Sequence, residues 1–436
     1  MSASIPDGHE KFVISGGHPV GGEITPRGSK NEALPVIAAT MLTDEPVILR
    51  NVPEIEDVLV MFKIIEAAGG SVERLGPNVF KVVNKNIDTW RLDEGLCRQA
   101  RASILFMGAM LGRMKRLELP PPGGDVIGRR RLDTHFYGVR MLGAEVTLGR
   151  TYYLKCDKLR GADIFLDEAS VTGTENILMA AARAKGTTII RNAACEPHVQ
   201  GLARMLNAMG AEIEGIGTNL LTIKGVKSLS GTDYKIGPDY LEIGSFIGMA
   251  AATGGEMRIT DVRQSDLRNI LLNYRKLGIE TYYDEPDVLV VPGCQELRIF
   301  KEMHNSIPKI DDAPWPQFPT DLMSIAIIVA TQAHGTIIFF EKMFDGRMYF
   351  VDRIIAMGAT IIPCDPHRVV VVGPNKLYGA RMESPDIRAG MALLIAGLCA
   401  EGETEIYNVR QIDRGYEGVD ERLRQIGAKI ERVRLS

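Results

Sequence analysis

GTTIIRNAACEPHVQGLARMLNAMGAEIEGIGTNLLTIKG, residues 186–225, is one complete copy of the unit from which this chain is built. GTTIIRNA is rich in β-branched residues and reads as a strand. Leu202, Met205, Leu206 and Met209 then recur at helical spacing, and Gly210 stands where a C′ glycine ends a helix. Residues 212–217 and 220–224 follow as a strand pair, with Thr218 and Asn219 at the turn. The glycine signature returns at Gly69, Gly143, Gly210, Gly278, Gly358 and Gly427, about 70 residues apart. The opening strand keeps step with it: DEPVILRNV from Asp44, GEMRITDV from Gly255, GTIIFFEK from Gly335 and GETEIYNV from Gly402, with the weaker KRLELPPP from Lys115 in the remaining slot. A unit this long exceeds the ~20–50-residue periods of open solenoids, so a closed, pseudo-symmetric arrangement is expected.

The chain has 436 residues, more than the roughly 250–300 at which a single core stops growing. Six units therefore divide into two domains of three. Each unit mixes helical and strand periods, which predicts an α/β class. The stretches 245–253 (SFIGMAAAT), 322–331 (LMSIAIIVAT) and 389–399 (AGMALLIAGLC) are apolar nearly all round. A helix with no polar face must be covered on every side, so helices are expected inside and sheets outside.

Charge and composition exclude several classes. A net charge of −4 gives no electrostatic reason to expect nucleic acid. No apolar run reaches the roughly 18 residues of a membrane span. MSASIPDGHEKF has neither a basic nor an apolar signal region. The six cysteines and seven histidines are scattered without metal-site or redox spacing. The expectation is a cytoplasmic protein with buried thiols, no metal, no membrane and no nucleic acid.

Four segments interrupt the apolar pattern with charge. In PRGSKNEALPVIAATML, from Pro26, Gly28, Ser29, Lys30 and Asn31 stand at a helix start, where free N–H groups and the dipole favour an anion. Ser29 with Glu32 also reads as a capping box, and both readings can hold. In LPPPGGDVIGRRRLDTH, residues 119–135, Gly123 and Gly124 make a loop that carries Asp125 beside Arg129, Arg130 and Arg131. With Arg101 in the preceding helix, these arginines can surround a phosphate or carboxylate. Asp125 on such a loop is placed as a general acid on a lid would be. In DAPWPQFPTDLMS, from Asp312, proline-rigid chain leads to Thr320 and Asp321, either a helix cap or a positioned base. Asp386 and Arg388 precede the last apolar helix, and Arg414 lies in a Gly-Tyr turn. Charge gathered at helix starts in both halves points to one cleft between two domains.

These segments, in this order, resemble the enolpyruvyl transferases, in the branch that acts on UDP-N-acetylglucosamine in peptidoglycan synthesis. The similarity runs from about residue 12 to 433, and its most specific pieces are GSKNEALP, RAS at 101–103, PGGDVIG, SVTGTEN, FPTD, DIRAG and IDRGYE. The shikimate-pathway relative would carry Asp-Lys-Ser where Ser29-Lys30-Asn31 stands. The resemblance implies two inside-out α/β barrel domains of three repeats each. Residues 1–29 with 239–436 would form one domain, and 30–238, with the catalytic loop near 119–135, the other. It implies a monomer without cofactor that moves the enolpyruvyl group of phosphoenolpyruvate to the 3′-hydroxyl of UDP-N-acetylglucosamine and releases phosphate.

By the same resemblance Lys30, Asn31, Arg130 and Arg414 bind phosphoenolpyruvate, with Arg101 nearby. Asp321 takes the 3′-hydroxyl proton, Asp386 assists proton transfer, and Lys30 and Arg414 belong to the catalytic set. The nucleotide sugar would meet Asn31, Arg101, Arg130, Arg131, Leu132, Asp133, Thr134, Glu168, Ser170, Val171, Thr172, Asp321 and Met343. Several residues depart from the family pattern. Glu168 stands where a lysine or arginine is common, a loss Arg131 could compensate, while Arg131 itself replaces a usual proline. Tyr240 replaces an arginine and Trp315 a histidine; Met343 is a conservative change.

Asp125 is the departure with the clearest consequence, because most members carry a cysteine that fosfomycin alkylates. An aspartic acid can donate a proton if burial raises its pKa, but it is poorly suited to a stable covalent adduct. Micromolar fosfomycin is therefore expected to leave turnover unchanged over time, and Asp125→Cys to introduce time-dependent inactivation; rapid inactivation of the natural chain would contradict the assignment.

Overall fold

The computed structural model describes residues 10–124 and 131–435. They group into two compact units, one of residues 10–27 with 238–435 and one of 28–124 with 131–237. Asp125, Arg129 and Arg130 lie outside the described residues.

The quoted stretch folds largely as its pattern predicts. Thr187–Arg191 is a strand, Pro197–Ala208 a helix with proline in its first turn, and Glu212–Glu214 pairs antiparallel with Leu220–Lys224. The first strand of that pair stops before residue 217. Gly215 and Gly217 take φ of 80° and 88°, and Thr218 Oγ1 bonds the Gly215 carbonyl at 2.8 Å, so the turn spans five residues instead of two. All six signature glycines lie at positive φ, between 83° and 107°. A side chain at such a position is strained, which is why glycine recurs where each helix hands over to its strands.

Among the described residues the strands form six sheets. Five have four strands, with a parallel strand added at one edge, as Asp163–Phe165 lies along Thr187–Arg191. The sixth, Arg116–Leu119 with Tyr152–Lys155 and Glu145–Leu148, has three. There a single parallel bridge from Arg91 to Glu118 stands in for the missing strand. This is the unit opened by KRLELPPP, whose strand signature is the weakest of the six.

Six helices have nearly every residue buried: α1 (Lys30–Ala39), α2 (Phe106–Met114), α3 (Val171–Ala181), α4 (Tyr240–Thr253), α5 (Met323–Gln332) and α6 (Ile387–Cys399). Three belong to each unit, and each unit has its own apolar core. The strands around them alternate buried and exposed residues, as in Thr187–Arg191 and Glu403–Tyr407. Full burial of one Leu, Ile or Phe contributes about 1.5–3 kcal/mol, against about 0.3–1 kcal/mol for a charge at a helix end. Packing therefore holds these helices, and the caps decide where polar side chains gather. No helix among the described residues is long and apolar enough to cross a membrane.

Candidate active site

In the unit of residues 28–237, α1 starts at Ser29, whose Oγ accepts from the Glu32 N–H at 3.4 Å. The capping box is only half made. The Ser29 N–H donates to the Gly237 carbonyl at 2.8 Å, while Glu32 Oε1 accepts from the Tyr234 hydroxyl at 2.8 Å. Lys30 is buried and its Nζ lies 2.7 Å from Asp57 Oδ2, in the first turn of the helix Glu56–Ala67. The Asp57 carboxylate fixes the direction of the Lys30 side chain at the start of α1.

The Gly-Gly turn packs against the segment that bears Arg101. Gly123 donates to the Cys97 carbonyl at 3.2 Å, and a Cβ at Gly123 would fall 1.6 Å from the Arg98 carbonyl oxygen. A Cβ at Gly124 would come within 2.7 Å of Arg101 Cβ. Only glycine permits this approach, so the chain leading to Asp125 starts beside Arg101.

The residues assigned to the nucleotide lie on two neighbouring segments. Thr134 Oγ1 is 3.1 Å from Asp167 Oδ1 and 3.3 Å from Glu168 Oε1. His135 Nε2 is 2.7 Å from Thr172 Oγ1. Ser170 caps α3 through the Gly173 N–H at 3.3 Å, with Val171 next in the chain and Leu132 at the start of the helix Asp133–Met141. Arg131 Nε is held by Asp133 Oδ2 at 2.9 Å, and that bond keeps the guanidinium above its ordinary pKa. Asp167 and Glu168 face the same cation and raise it further.

In the other unit Asp321 does not cap α5, which starts after it at Leu322 with no side-chain cap. Its two carboxylate oxygens instead meet two arginines: Oδ1 accepts from Arg347 and Oδ2 from Arg388 Nε at 3.0 Å. Asp386 caps α6 by accepting from the Arg388 and Ala389 N–H groups at 2.8 and 3.0 Å, and lies 3.6 Å from Arg347. Arg388 also reaches the Tyr416 hydroxyl at 3.3 Å. Burial pulls the Arg388 pKa down, but Asp321, Tyr416 and Asp239 together hold it above the ordinary value. Asp321, Asp386, Arg347 and Arg388 thus form one ionic set at the starts of α5 and α6.

Arg414 ends the short helix Arg410–Asp413, with Nη1 on Gln411 Oε1 at 3.0 Å. Its neighbour Asp413 is gripped by Arg432, which also holds Asp420 and Glu10. Tyr240 and Trp315, both departures from the family pattern, pack edge to face with centroids 5.6 Å apart. Tyr240 is 4% exposed, so the contact is part of the packing. Asp57, His135, Asp167, Arg347, Glu341 and Asp312 were not singled out for the site from the sequence. Lys30 and Asp57, Thr134 and Asp167, His135 and Thr172, and Asp321 and Arg347 come from segments well apart in the chain, with no short motif joining them.

His135 supplies a stability test. It is 2% exposed, and burial, then the charge of Arg101, push its pKa from 6.5 down to about 4. The folded state binds this proton less readily than the unfolded chain, so the contribution is complete above pH 6.5 and is lost as pH falls through about 4. The thermal midpoint of the natural chain should drop more between pH 6.5 and 4 than that of His135→Gln, measured by circular dichroism; equal slopes would contradict it.

The family described as EPSP synthase (3-phosphoshikimate 1-carboxyvinyltransferase) matches residues 14–423. A UDP-N-acetylglucosamine 1-carboxyvinyltransferase of Treponema denticola is 56% identical over 97% of this chain and 99% of its own length. One of Borreliella burgdorferi is 53% identical over the same shares. Among solved structures, the enolpyruvyl transferase NikO from Streptomyces tendae superposes with a TM-score of 0.86 at 21% identity, covering 99% of this chain and 100% of that one. EPSP synthase from Acinetobacter baumannii gives 0.76 at 18%, covering 98% and 100%. The mixed α/β fold is that of these proteins, and by sequence over nearly its whole length the chain belongs to the enolpyruvyl transferase family.

Proposed function

We propose that this chain transfers the enolpyruvyl group of phosphoenolpyruvate to the 3′-hydroxyl of UDP-N-acetylglucosamine, releasing phosphate, in the first committed step of peptidoglycan synthesis. The observation that carries this is the identity of 52% or more, over at least 96% of this chain, to relatives that bear the name of that activity. On this reading the two units are two inside-out α/β barrel domains, divided near residues 29–30 and 238–239, and residues of both act on one pair of substrates. The enzyme is a cytoplasmic monomer without metal or cofactor.

The chemistry needs a proton on the methylene carbon, a nucleophilic sugar oxygen and a cradle for several negative charges. Lys30, Arg130 and Arg414, with Arg101 and Asn31 nearby, hold the phosphate and carboxylate of phosphoenolpyruvate. Orientation of this kind accounts for up to about 7–11 kcal/mol of barrier in favourable cases. Asp125 protonates the methylene carbon as the sugar oxygen bonds to the adjacent carbon, and Asp321 takes the hydroxyl proton. The tetrahedral ketal then loses a methyl proton and phosphate, which restores the double bond. Two guanidiniums on Asp321 hold and aim it, and Asp386 next to Arg347 assists the proton transfers. Arg131, Leu132, Asp133, Thr134, Glu168, Ser170, Val171, Thr172 and Met343 line the nucleotide-sugar side.

Glu168 and Tyr240, standing where the resemblance leads one to expect cations, favour a second reading, in which the acceptor is another nucleotide or nucleotide sugar. One assay separates the two. Phosphate release from phosphoenolpyruvate should depend on UDP-N-acetylglucosamine, and Asp321→Ala should slow it about 10²–10⁴-fold, the usual worth of a positioned acid or base. Release from a folded chain only with a different nucleotide would favour the second reading; an unaffected Asp321→Ala would remove Asp321 from the chemistry.

A further inference from the structure

Glu341 and Asp312 are both fully buried, yet neither belongs to the ionic set around Asp321. Glu341 follows the strand Gly335–Phe340, and its carboxyl group is used on two sides. Oε1 accepts from the Met343 and Phe344 N–H groups, each at 3.0 Å, and so shapes the turn that carries Met343. Oε2 accepts from the Thr320 hydroxyl at 2.8 Å, one residue before Asp321.

Asp312 backs this arrangement from the other end of the proline-rich segment. Its Oδ1 accepts from the Lys342 N–H at 2.5 Å, inside the same turn. Its Oδ2 receives no N–H or O–H from the described residues. The two carboxyl groups lie within hydrogen-bonding reach, and burial with the Asp312 neighbour raises Glu341 to about 8. A raised Glu341 pKa eases the cost of two adjacent buried carboxyl groups. The turn continues to Arg347, the guanidinium on Asp321 Oδ1. One buried acid pair therefore ties the Thr320–Asp321 turn to the Met343–Arg347 loop.

We propose that Glu341, backed by Asp312, is a positioning residue for the acceptor sugar, setting the spacing between the Asp321 carboxylate and the Met343 backbone. It touches no substrate, and the assignment rests on the proposed roles of Asp321 and Met343. A carboxyl at 341 is suited to the task because it accepts from three donors on two segments. Glutamine reproduces most of this, through a carbonyl that accepts and an amide that donates; alanine leaves two N–H groups and a hydroxyl without their acceptor.

Steady-state phosphate release by the full chain, with each substrate varied in turn, provides the test. Glu341→Ala should raise KM for UDP-N-acetylglucosamine about tenfold or more while KM for phosphoenolpyruvate stays within about twofold, and Glu341→Gln should remain within about threefold of the natural chain. Thr320→Val cuts one of the three bonds and should move acceptor KM the same way by about threefold, which keeps the proposal testable if Glu341→Ala does not fold. A folded Glu341→Ala with unchanged acceptor KM, or with both KM values raised equally, overturns the proposal while leaving the activity standing. Absence of acceptor-dependent release in the natural chain overturns the functional reading and this proposal with it.

Discussion

A helix with no polar face can sit only where apolar side chains cover every side, and its unpaired end groups are then the only places for polar residues. That constraint organises the chain. Ser29, Ser170, Asp239 and Asp386 cap four of the six buried helices with side-chain oxygens. Arg101 and Asp321 sit in short 3₁₀ turns just ahead of the other two. Lys30, Arg101, Asp321 and Asp386, among the residues assigned to chemistry, thus stand where buried helices start. A cap contributes about 1 kcal/mol, far less than the packing behind it. Such positions therefore tolerate a second duty as anion or substrate contacts, where free N–H groups and the helix dipole already favour negative charge.

The same constraint explains the ionic set around Asp321. Charges at the ends of buried helices are partly removed from water, and deleting one partner of a buried pair typically costs about 3–5 kcal/mol. The arrangement answers with mutual pairing: Arg388 takes Asp321, Tyr416 and the field of Asp239, while Arg347 is shared by Asp321 and Asp386. Lys30 with Asp57 is the counterpart in the other unit. Ion pairs of this kind gain little net stability over apolar packing, but they fix direction, and a phosphate- and carboxylate-bearing substrate needs direction most.

Legibility in the sequence followed the range of the interaction. The six glycine turns, the apolar helices and the charged helix starts are local patterns, and each is where its spacing places it. The capping box at Ser29 was half right because Gly237, about 200 residues away, takes the Ser29 N–H. Arg131 could not be judged from its position alone, since Asp133 and Asp167 decide its surroundings. The partners of Asp321 come from residues 347 and 388, and that of Lys30 from residue 57. Nothing in a short window announces such pairs. Tyr240 and Trp315 read separately in the sequence; the structure packs them against each other.

The central claim is that these helix-start residues do chemistry as well as capping, and Asp386→Asn separates the two duties at one position. Asparagine caps a helix about as well as aspartate but carries no charge for Arg347 or for proton transfer. The account predicts a chain that still folds, by circular dichroism, with acceptor-dependent phosphate release slowed about 100-fold or more. Turnover within a few-fold of the natural chain would mean that Asp386 is a cap and nothing else, and would contradict it.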